Sequence, residues 1–352
     1  MKNITIQSKT TVKEAMEVLN KTAEKVLLVV DQDKKLIGSL TDGDIRRHIL
    51  KNKQLTDSIE TVYNPDPYFI FQKDFDKDNL RKILTDHKID LIPILNNERV
   101  VIDYITWEKA FGNLLGGAGN KISAPVVIMA GGKGTRLEPF TKVLPKPLIP
   151  VGDKPVIDHI IERFRAFGAN QFFFTINYMA KIMRAYFEEK EYDYKIDFAQ
   201  EKEFRGTAGS LKLLQGKLEQ SFFVSNCDII IEADYSDIYR FHIKNEYDIT
   251  LVAATKQYNI PYGVCELNGS GSLKRIREKP EYNFLVNTGL YVLNPDILSF
   301  IPDHGIFHIT HLMESLHDNG GSIGVYPVSD SSWIDVGQWS EYRKAIKIIE
   351  SL

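Results

Sequence analysis

From Val126 onward, short apolar runs alternate with longer stretches in which apolar residues recur every three or four positions. Val126–Met129, Phe172–Ile176, Ile196–Gln200 and Phe222–Asn226 read as strands, being short and rich in β-branched and aromatic residues. Val156–Phe167 (VIDHIIERFRAF) and Ala180–Glu189 carry the helical spacing. Alternating strands and helices imply an α/β fold, a Rossmann-like and mostly parallel sheet flanked by helices. Ligands of such sheets bind beyond the carboxyl ends of the strands.

The pattern before Val126 differs. Leu27–Ile45 (LLVVDQDKKLIGSLTDGDI) runs as apolar segment, polar turn, apolar segment, then a helix start at Thr41. Ile92–Lys109 (IPILNNERVVIDYITWEK) repeats the shape, with Thr106 lying 65 positions after Thr41. Each copy follows a helical stretch, Val12–Thr22 and Asn79–His87. A unit of about 60 residues buries too little surface alone, so two copies should pack on each other as an α+β pair. A glycine-rich joint, Phe111–Pro125, separates the pair from the α/β region. The expected organisation is a first repeat at 1–58, a second at 59–115, a linker at 116–124 and a larger domain at 125–352.

Composition narrows the function. At 43% hydrophobic and 26% charged residues the chain is globular rather than disordered. Its net charge of −3 leaves no basic field for nucleic acid, so any cationic site must be local. The two cysteines, Cys227 and Cys265, suit a reducing cytosol better than a disulfide framework. The N-terminal segment lacks a signal-peptide apolar core, and no run approaches a membrane span, so a cytoplasmic protein is expected.

The chemistry concentrates at residues 129–150, MAGGKGTRLEPFTKVLPKPLIP. Gly131, Gly132 and Gly134 follow the Val126–Met129 strand, then Thr135, Arg136 and, further on, Lys146. Glycines let backbone N–H groups approach phosphate oxygens, and Arg136 and Lys146 can neutralise a polyphosphate. The stretch is neither a Walker A loop nor a dinucleotide fingerprint, which needs a third glycine where Leu137 stands. Asp228 and Asp335 each end an apolar segment. Read by themselves they are turn or cap residues sooner than ligands, together with substrate phosphates, for Mg²⁺. His304, His308, His311 and His317 look like spaced metal ligands, but FHITHLMESL has the apolar spacing of an ordinary amphipathic helix.

The run G-G-x-G-T-R-L-x-P-x-T-x-x-x-P-K-P resembles the signature of the sugar-1-phosphate nucleotidylyltransferases, and the likeness extends over roughly residues 124–352. The resemblance implies catalytic roles for Arg136, Lys146, Asp228, Lys279 and Asp335, with Asp228 and Asp335 holding Mg²⁺. It assigns the nucleotide to Gly131, Gly132, Gly134, Thr135, Glu201, Gly206, Thr207 and Ala208. It assigns the sugar phosphate to Gly263, Glu278, Lys279, Asn287 and Thr288. Family members that use GTP tend to carry a glutamate at the position of Glu201, where others carry glutamine. A carboxylate can accept from guanine N1–H and its exocyclic amine together, although Glu203 lies close enough in the chain to take that role.

The N-terminal repeat resembles a CBS-domain pair, a module that often binds adenine nucleotides and often dimerises. Gly38, Thr41 and Asp44 match its ligand motif, while Asp103 and Lys109 depart from it in the second copy. Thr41 and Asp44 would serve equally as a helix cap. A CBS pair joined to such a transferase is most similar to the glucosamine-1-phosphate guanylyltransferases of bacterial legionaminic-acid synthesis, which make GDP-glucosamine. The expected partners are therefore GTP or another NTP, a sugar-1-phosphate, an adenine nucleotide at the pair, and a second copy of the chain. Mannose- or heptose-1-phosphate guanylyltransferase and uridylyltransferase are the alternatives within the class. A regulatory subunit with a decayed catalytic domain, or an adenylate sensor, is the alternative outside it.

Overall fold

The computed structural model describes residues 3–22, 25–50, 54–87, 89–106, 109–110, 121–189 and 191–349. The chain divides into two compact units, Met1–Phe111 and Gly112–Leu352. Most of the glycine-rich joint, residues 111–120, lies outside the described residues.

The first unit contains β1 (Thr5–Gln7), α1 (Val12–Thr22), β2 (Val26–Val30), β3 (Leu36–Thr41), α2 (Asp42–Leu50), β4 (Ile70–Phe71), α3 (Lys77–His87), β5 (Leu91–Leu95) and β6 (Val101–Thr106). Strands β1–β2–β3 and β4–β5–β6 form two three-stranded sheets of the same design. The 65-residue offset extends to the turns. Asp31 accepts from the amides of Asp33 and Lys35 just as Asn96 accepts from those of Glu98 and Val100. Lys34 and Arg99 adopt the same positive φ, 61° and 66°. The two turns hydrogen-bond to one another, Leu36 N–H to the Arg99 carbonyl (3.0 Å) and Val101 N–H to the Lys34 carbonyl (3.3 Å). Leu91, Leu95 and Tyr104 of the second copy share one core with Leu27, Leu36 and Leu40 of the first. Each copy buries its apolar face against the other.

The second unit continues with β7 (Val126–Ala130), β8 (Pro150–Val151), β9 (Lys154–Pro155), β10 (Gln171–Ile176), β11 (Lys195–Gln200), β12 (Phe222–Asn226), β13 (Ile229–Ile231), β14 (Ile249–Asn259), β15 (Val264–Leu267), β16 (Leu273–Arg277), β17 (Glu281–Leu293), β18 (Ile323–Ser329) and β19 (Trp333–Asp335). Seven of these form the central sheet in the order β11–β10–β7–β12–β17–β14–β18. It is mostly parallel, but β17 runs antiparallel to both β12 and β14. Every residue of β7 is buried, as expected for a strand covered on both faces. Val127 and Met129 point into a cluster with Leu211, Phe222 and Leu312. Phe164, Phe172, Phe223 and Tyr235 form a network of aromatic contacts nearby in the same unit. The amphipathic stretch FHITHLMESL forms the helix Ile309–Asp318, burying Ile309, Leu312 and Leu316. No helix among the described residues is long and apolar enough to cross a membrane.

Candidate active site

β7 carries the chain to Ala130, and the next residues turn away from the sheet through Gly131–Gly134. Thr141, in the following Pro139–Lys142 segment, donates its hydroxyl to the Gly134 carbonyl (3.0 Å) and folds the chain back on the loop. Gly134 sits at φ 67°, and a Cβ there would lie 2.8 Å from Thr141 Cγ2 and 3.1 Å from Lys146 Cβ. Only glycine allows the stem of Lys146 to lie this close. Gly132 has nothing within 4 Å of where a Cβ would stand, so that wall is open to a ligand.

The two acids meet through a pairing of distant segments. β13 follows Asp228 directly and runs antiparallel to β19, with Ile229 opposite Asp335. Val336 N–H donates to the Asp228 carbonyl (2.9 Å). Gly337 lies between the carboxylates: a Cβ there would sit 2.2 Å from Asp228 Oδ2 and 3.0 Å from Asp335 Oδ1. Asp335 Oδ1 accepts from Gly337 N–H (2.7 Å). Burial raises the Asp335 pKa against that hydrogen bond, and the nearby Asp228 charge raises it further. Lys146 Nζ pairs with Asp228. Burial alone would lower the Lys146 pKa, but the charge and hydrogen bond of Asp228, with Asp335 nearby, hold it above the ordinary value, so it is a fixed cation. Burial pushes the Cys227 thiol up to about 12, leaving it protonated at neutral pH.

Lys146, Cys227, Asp228 and Gly337 border a cavity of about 340 Å³, within the usual size range of small-molecule sites, whereas Asp335 stands behind Gly337 and outside the wall. Its wall includes Gly131, Gly132, Gly134, Thr135, Arg136, Lys146, Glu201, Gly206, Thr207 and Asp228. Asp228 and Asp335, brought side by side, are hard carboxylate donors of the kind Mg²⁺ takes together with substrate oxygens, although Asp228 Oδ2 is here paired with Lys146 and Asp335 Oδ1 with Gly337 N–H. No group of three or more His, Cys, Asp or Glu suited to a metal occurs among the described residues.

Glu201 follows β11 and is 4% exposed, yet neither carboxylate oxygen has a hydrogen-bond partner. Burial raises its pKa to about 7; the Arg205 backbone amide and charge and the Asn177 amide lie near enough to pull it partly back, without either amide completing a hydrogen bond to the carboxylate. Gly131 leaves room for it, since a Cβ there would lie 2.7 Å from Glu201 Oε2. Glu203 is exposed and outside the cavity wall, so of the two carboxylates only Glu201 borders the cavity.

The turn at 206–209 corrects one expectation. Gly206 and Thr207 line the cavity, but Ala208 is fully buried behind them. The amides of Ala208 and Gly209 both donate to the Phe307 carbonyl (3.0 and 2.9 Å), and the Thr207 hydroxyl accepts from Ile309 N–H (3.0 Å). The Ala208 and Gly209 amides thus hold the 307–309 segment and are not free to meet a base, while the Thr207 hydroxyl keeps its own O–H to donate.

The expected sugar-side residues lie beyond this wall. Gly263 backs onto Glu278, whose Oε2 would stand 2.9 Å from a Cβ, and Lys279 N–H donates to the Tyr262 carbonyl (3.2 Å). Asn287 and Thr288 sit where the β14–β17 register shifts, opposite Val252/Ala253. Bulges of this kind commonly re-aim residues beside active sites. Thr288 Oγ1 donates to the Val252 carbonyl (2.7 Å) and the Asn287 amide to Tyr291 Oη (2.8 Å). The next residue, Gly289, would place a Cβ 2.3 Å from Asn226 Nδ2, and Asn226 does line the cavity. Asn226 and Phe204 are wall residues that sequence reading passed over. Asn226 sits two positions before Asp228, which was a usable signal, whereas Phe204 had none.

In the first unit, Thr41 and Asp44 form a reciprocal cap on α2. Asp44 Oδ2 accepts from the Thr41 amide (2.8 Å) and hydroxyl (2.6 Å), and the Asp44 amide donates back to Thr41 Oγ1 (3.1 Å). Gly38 faces the Tyr63 ring, 2.2 Å from where its Cβ would be. In the second copy the two departures compensate: Lys109 lies 3.6 Å from Asp103 and over the Tyr104 ring.

A glycine-rich loop after a central strand, a charged lysine and two acids brought side by side in an α/β sheet fit a nucleotide-transferring class of protein. The chain belongs to the Nucleotidyl transferase family, which matches residues 125–351. A CBS domain matches residues 1–51. The chain is 37% identical over 184 residues to a mannose-1-phosphate guanyltransferase of Yarrowia lipolytica, covering 50% of each protein. It is 34% identical over 226 residues to a mannose-1-phosphate guanyltransferase of Schizosaccharomyces pombe, covering 61% of each. The chain thus spans about half to three-fifths of the length of these curated relatives. Among solved structures, HddC from Yersinia pseudotuberculosis aligns with a TM-score of 0.51 at 26% identity, over 64% of this chain and 99% of that one.

Proposed function

We propose that this chain joins GTP and a hexose-1-phosphate to give a GDP-hexose and pyrophosphate, with mannose-1-phosphate as the favoured sugar. The observation that carries the guanine assignment is Glu201, a buried cavity-wall carboxylate with both oxygens unpartnered. Guanine offers two adjacent donors, and a carboxylate is the side chain that accepts both. Similarity to relatives named for mannose-1-phosphate and guanyl transfer supports the same substrates here.

A sugar-phosphate oxygen attacks the α-phosphorus of GTP, the new P–O bond forms, and the bond to the β-phosphate bridging oxygen breaks. No general base is needed, because a phosphate monoester with a second pKa of about 6 is largely ionised at neutral pH. The protein's task is to align two anions and offset their charge. Arg136 and Lys146 lie in the wall beside the glycine loop and take the triphosphate, Lys279 takes the sugar phosphate, and Glu278, Asn287 and Thr288 orient the sugar. Mg²⁺ held by Asp228 and Asp335 would supply further charge neutralisation.

A second reading keeps GTP but takes glucosamine-1-phosphate, giving GDP-glucosamine for a legionaminic-acid-type glycan. The CBS match upstream of the transferase favours it, because that combination carried the sequence resemblance. On either reading the reaction is cytoplasmic and the N-terminal unit dimerises. That unit holds an adenine nucleotide in the first copy at most, since Asp103 and Lys109 occupy each other in the second. Pyrophosphate release over a grid of NTPs against mannose-, glucosamine-, glucose- and heptose-1-phosphate tests the assignment. Turnover with GTP and mannose-1-phosphate is expected. Turnover confined to UTP or dTTP removes the guanine reading, and GTP with glucosamine-1-phosphate alone replaces the sugar.

A further inference from the structure

Phe204 is a large apolar side chain that remains 48% exposed while lining the cavity, and among the described residues it is the one aromatic in that wall. Its backbone is held at both ends. Glu201 N–H donates to the Ile176 carbonyl (2.9 Å), tying the segment to β10, and the Arg205 carbonyl accepts from Phe307 N–H (2.8 Å). The strap between Glu201 and Arg205 is therefore anchored, with Phe204 on it three residues from the unpartnered carboxylate. Gly131 and Gly132 contribute another part of the wall, with no side chain to obstruct a flat ring. Such a space, with an aromatic face and an edge acceptor, suits a planar heterocycle that stacks and donates.

We infer that Phe204 is the stacking platform for the nucleobase, setting a purine preference through ring overlap while Glu201 reads the edge. The inference deepens the proposed function and rests on the cavity taking the base of an NTP. Base–aromatic stacking is worth about 1–3 kcal/mol per base, or roughly 5- to 150-fold in affinity.

The test compares Phe204→Ala, Phe204→Leu and Phe204→Trp with the parent protein, measuring equilibrium binding of GTP, ITP and UTP and thermal melting without ligand. Phe204→Ala should weaken GTP and ITP by about 10-fold or more, and UTP less, because a pyrimidine overlaps less with the ring. Phe204→Leu should recover only part of the loss. Phe204→Trp should bind at least as well as the parent, with its added fluorescence quenched by GTP. Melting of ligand-free Phe204→Ala should stay close to the parent, since the removed ring is half exposed. GTP binding by Phe204→Ala within twofold of the parent overturns the platform and leaves the guanine reading standing. If UTP is the parent's tightest ligand and Phe204→Ala weakens it most, the purine preference falls together with the guanine reading. Failure of the parent to bind any NTP overturns both.

Discussion

Replacing Glu201 with glutamine separates function from stability in opposite directions. Burial pushes the folded carboxyl up to about 7, from an ordinary value of 4.5. Below about pH 4.5 both folded and unfolded chains keep the proton and the residue has no net effect. Between about 4.5 and 7 the unfolded chain releases it and the folded chain retains it, so stability falls as pH rises. Above about 7 the loss is complete, at most about 3 kcal/mol for a shift of this size. Glutamine cannot ionise, so ligand-free Glu201→Gln should melt higher than the parent at pH 8 and converge with it near pH 5. Catalysis should move the other way. Glutamine turns an N–H toward a guanine donor and loses a charge-assisted hydrogen bond of about 1.5–3 kcal/mol, or about 10- to 150-fold in kcat/KM for GTP. The parent's kcat/KM for GTP should also fall as pH drops through 7, while the variant's profile stays flat there. Differential scanning fluorimetry across pH and coupled pyrophosphate release measure both effects. A variant that keeps parental kcat/KM for GTP within threefold would refute the base-reading role. Unchanged melting at pH 8 would refute the claim that the carboxylate is held there at a cost.

The acid pair and its lysine give further tests. Asp228→Asn and Lys146→Ala should fold and lose at least about 100-fold in turnover, because each removes charge at the reacting phosphates; pyrophosphate release and circular dichroism check the two halves of the statement. Gly337→Ala should cost comparable activity, since its methyl would fall 2.2 Å from Asp228 Oδ2 and displace the carboxylate. Loss of activity together with weaker Mg²⁺ dependence of melting is expected, and parental kinetics would show that Asp228 need not stay in place. In the first unit, Asp44→Ala breaks a reciprocal helix cap and should destabilise it by about 1 kcal/mol. Denaturant unfolding measures this, and an unchanged midpoint would mean the cap is energetically idle.

Much of the architecture was legible in the chain. The strand at Phe222–Asn226 and the helix at Val12–Thr22 appear with the expected bounds, and the other expected elements differ only slightly at their ends, where local periodicity is weakest. The repeat was visible as Thr41 and Thr106, and the structure extends it to matching turns. Sequence pattern could not reveal that β17 reverses direction, because an apolar strand reads the same both ways. Nor could it reveal that Ala208 faces away from the cavity, since that depends on the Phe307 carbonyl reaching the turn from far along the chain.

The glycine loop, the lysine and the identities of the acids are properties of the sequence by itself. They required only local chemistry: a strand followed by residues without a Cβ, and charges of the right sign. Tertiary structure decided which acids meet and what each group's surroundings do to it. Pairing of β13 with β19 brings Asp335 beside Asp228, and Gly337 leaves space between them. Burial at the end of β11 distinguishes Glu201 from Glu203, raising one carboxyl toward neutrality and leaving the other in water. Desolvation and long-range pairing depend on atoms distant in the chain, so they arise only when the sheet has formed.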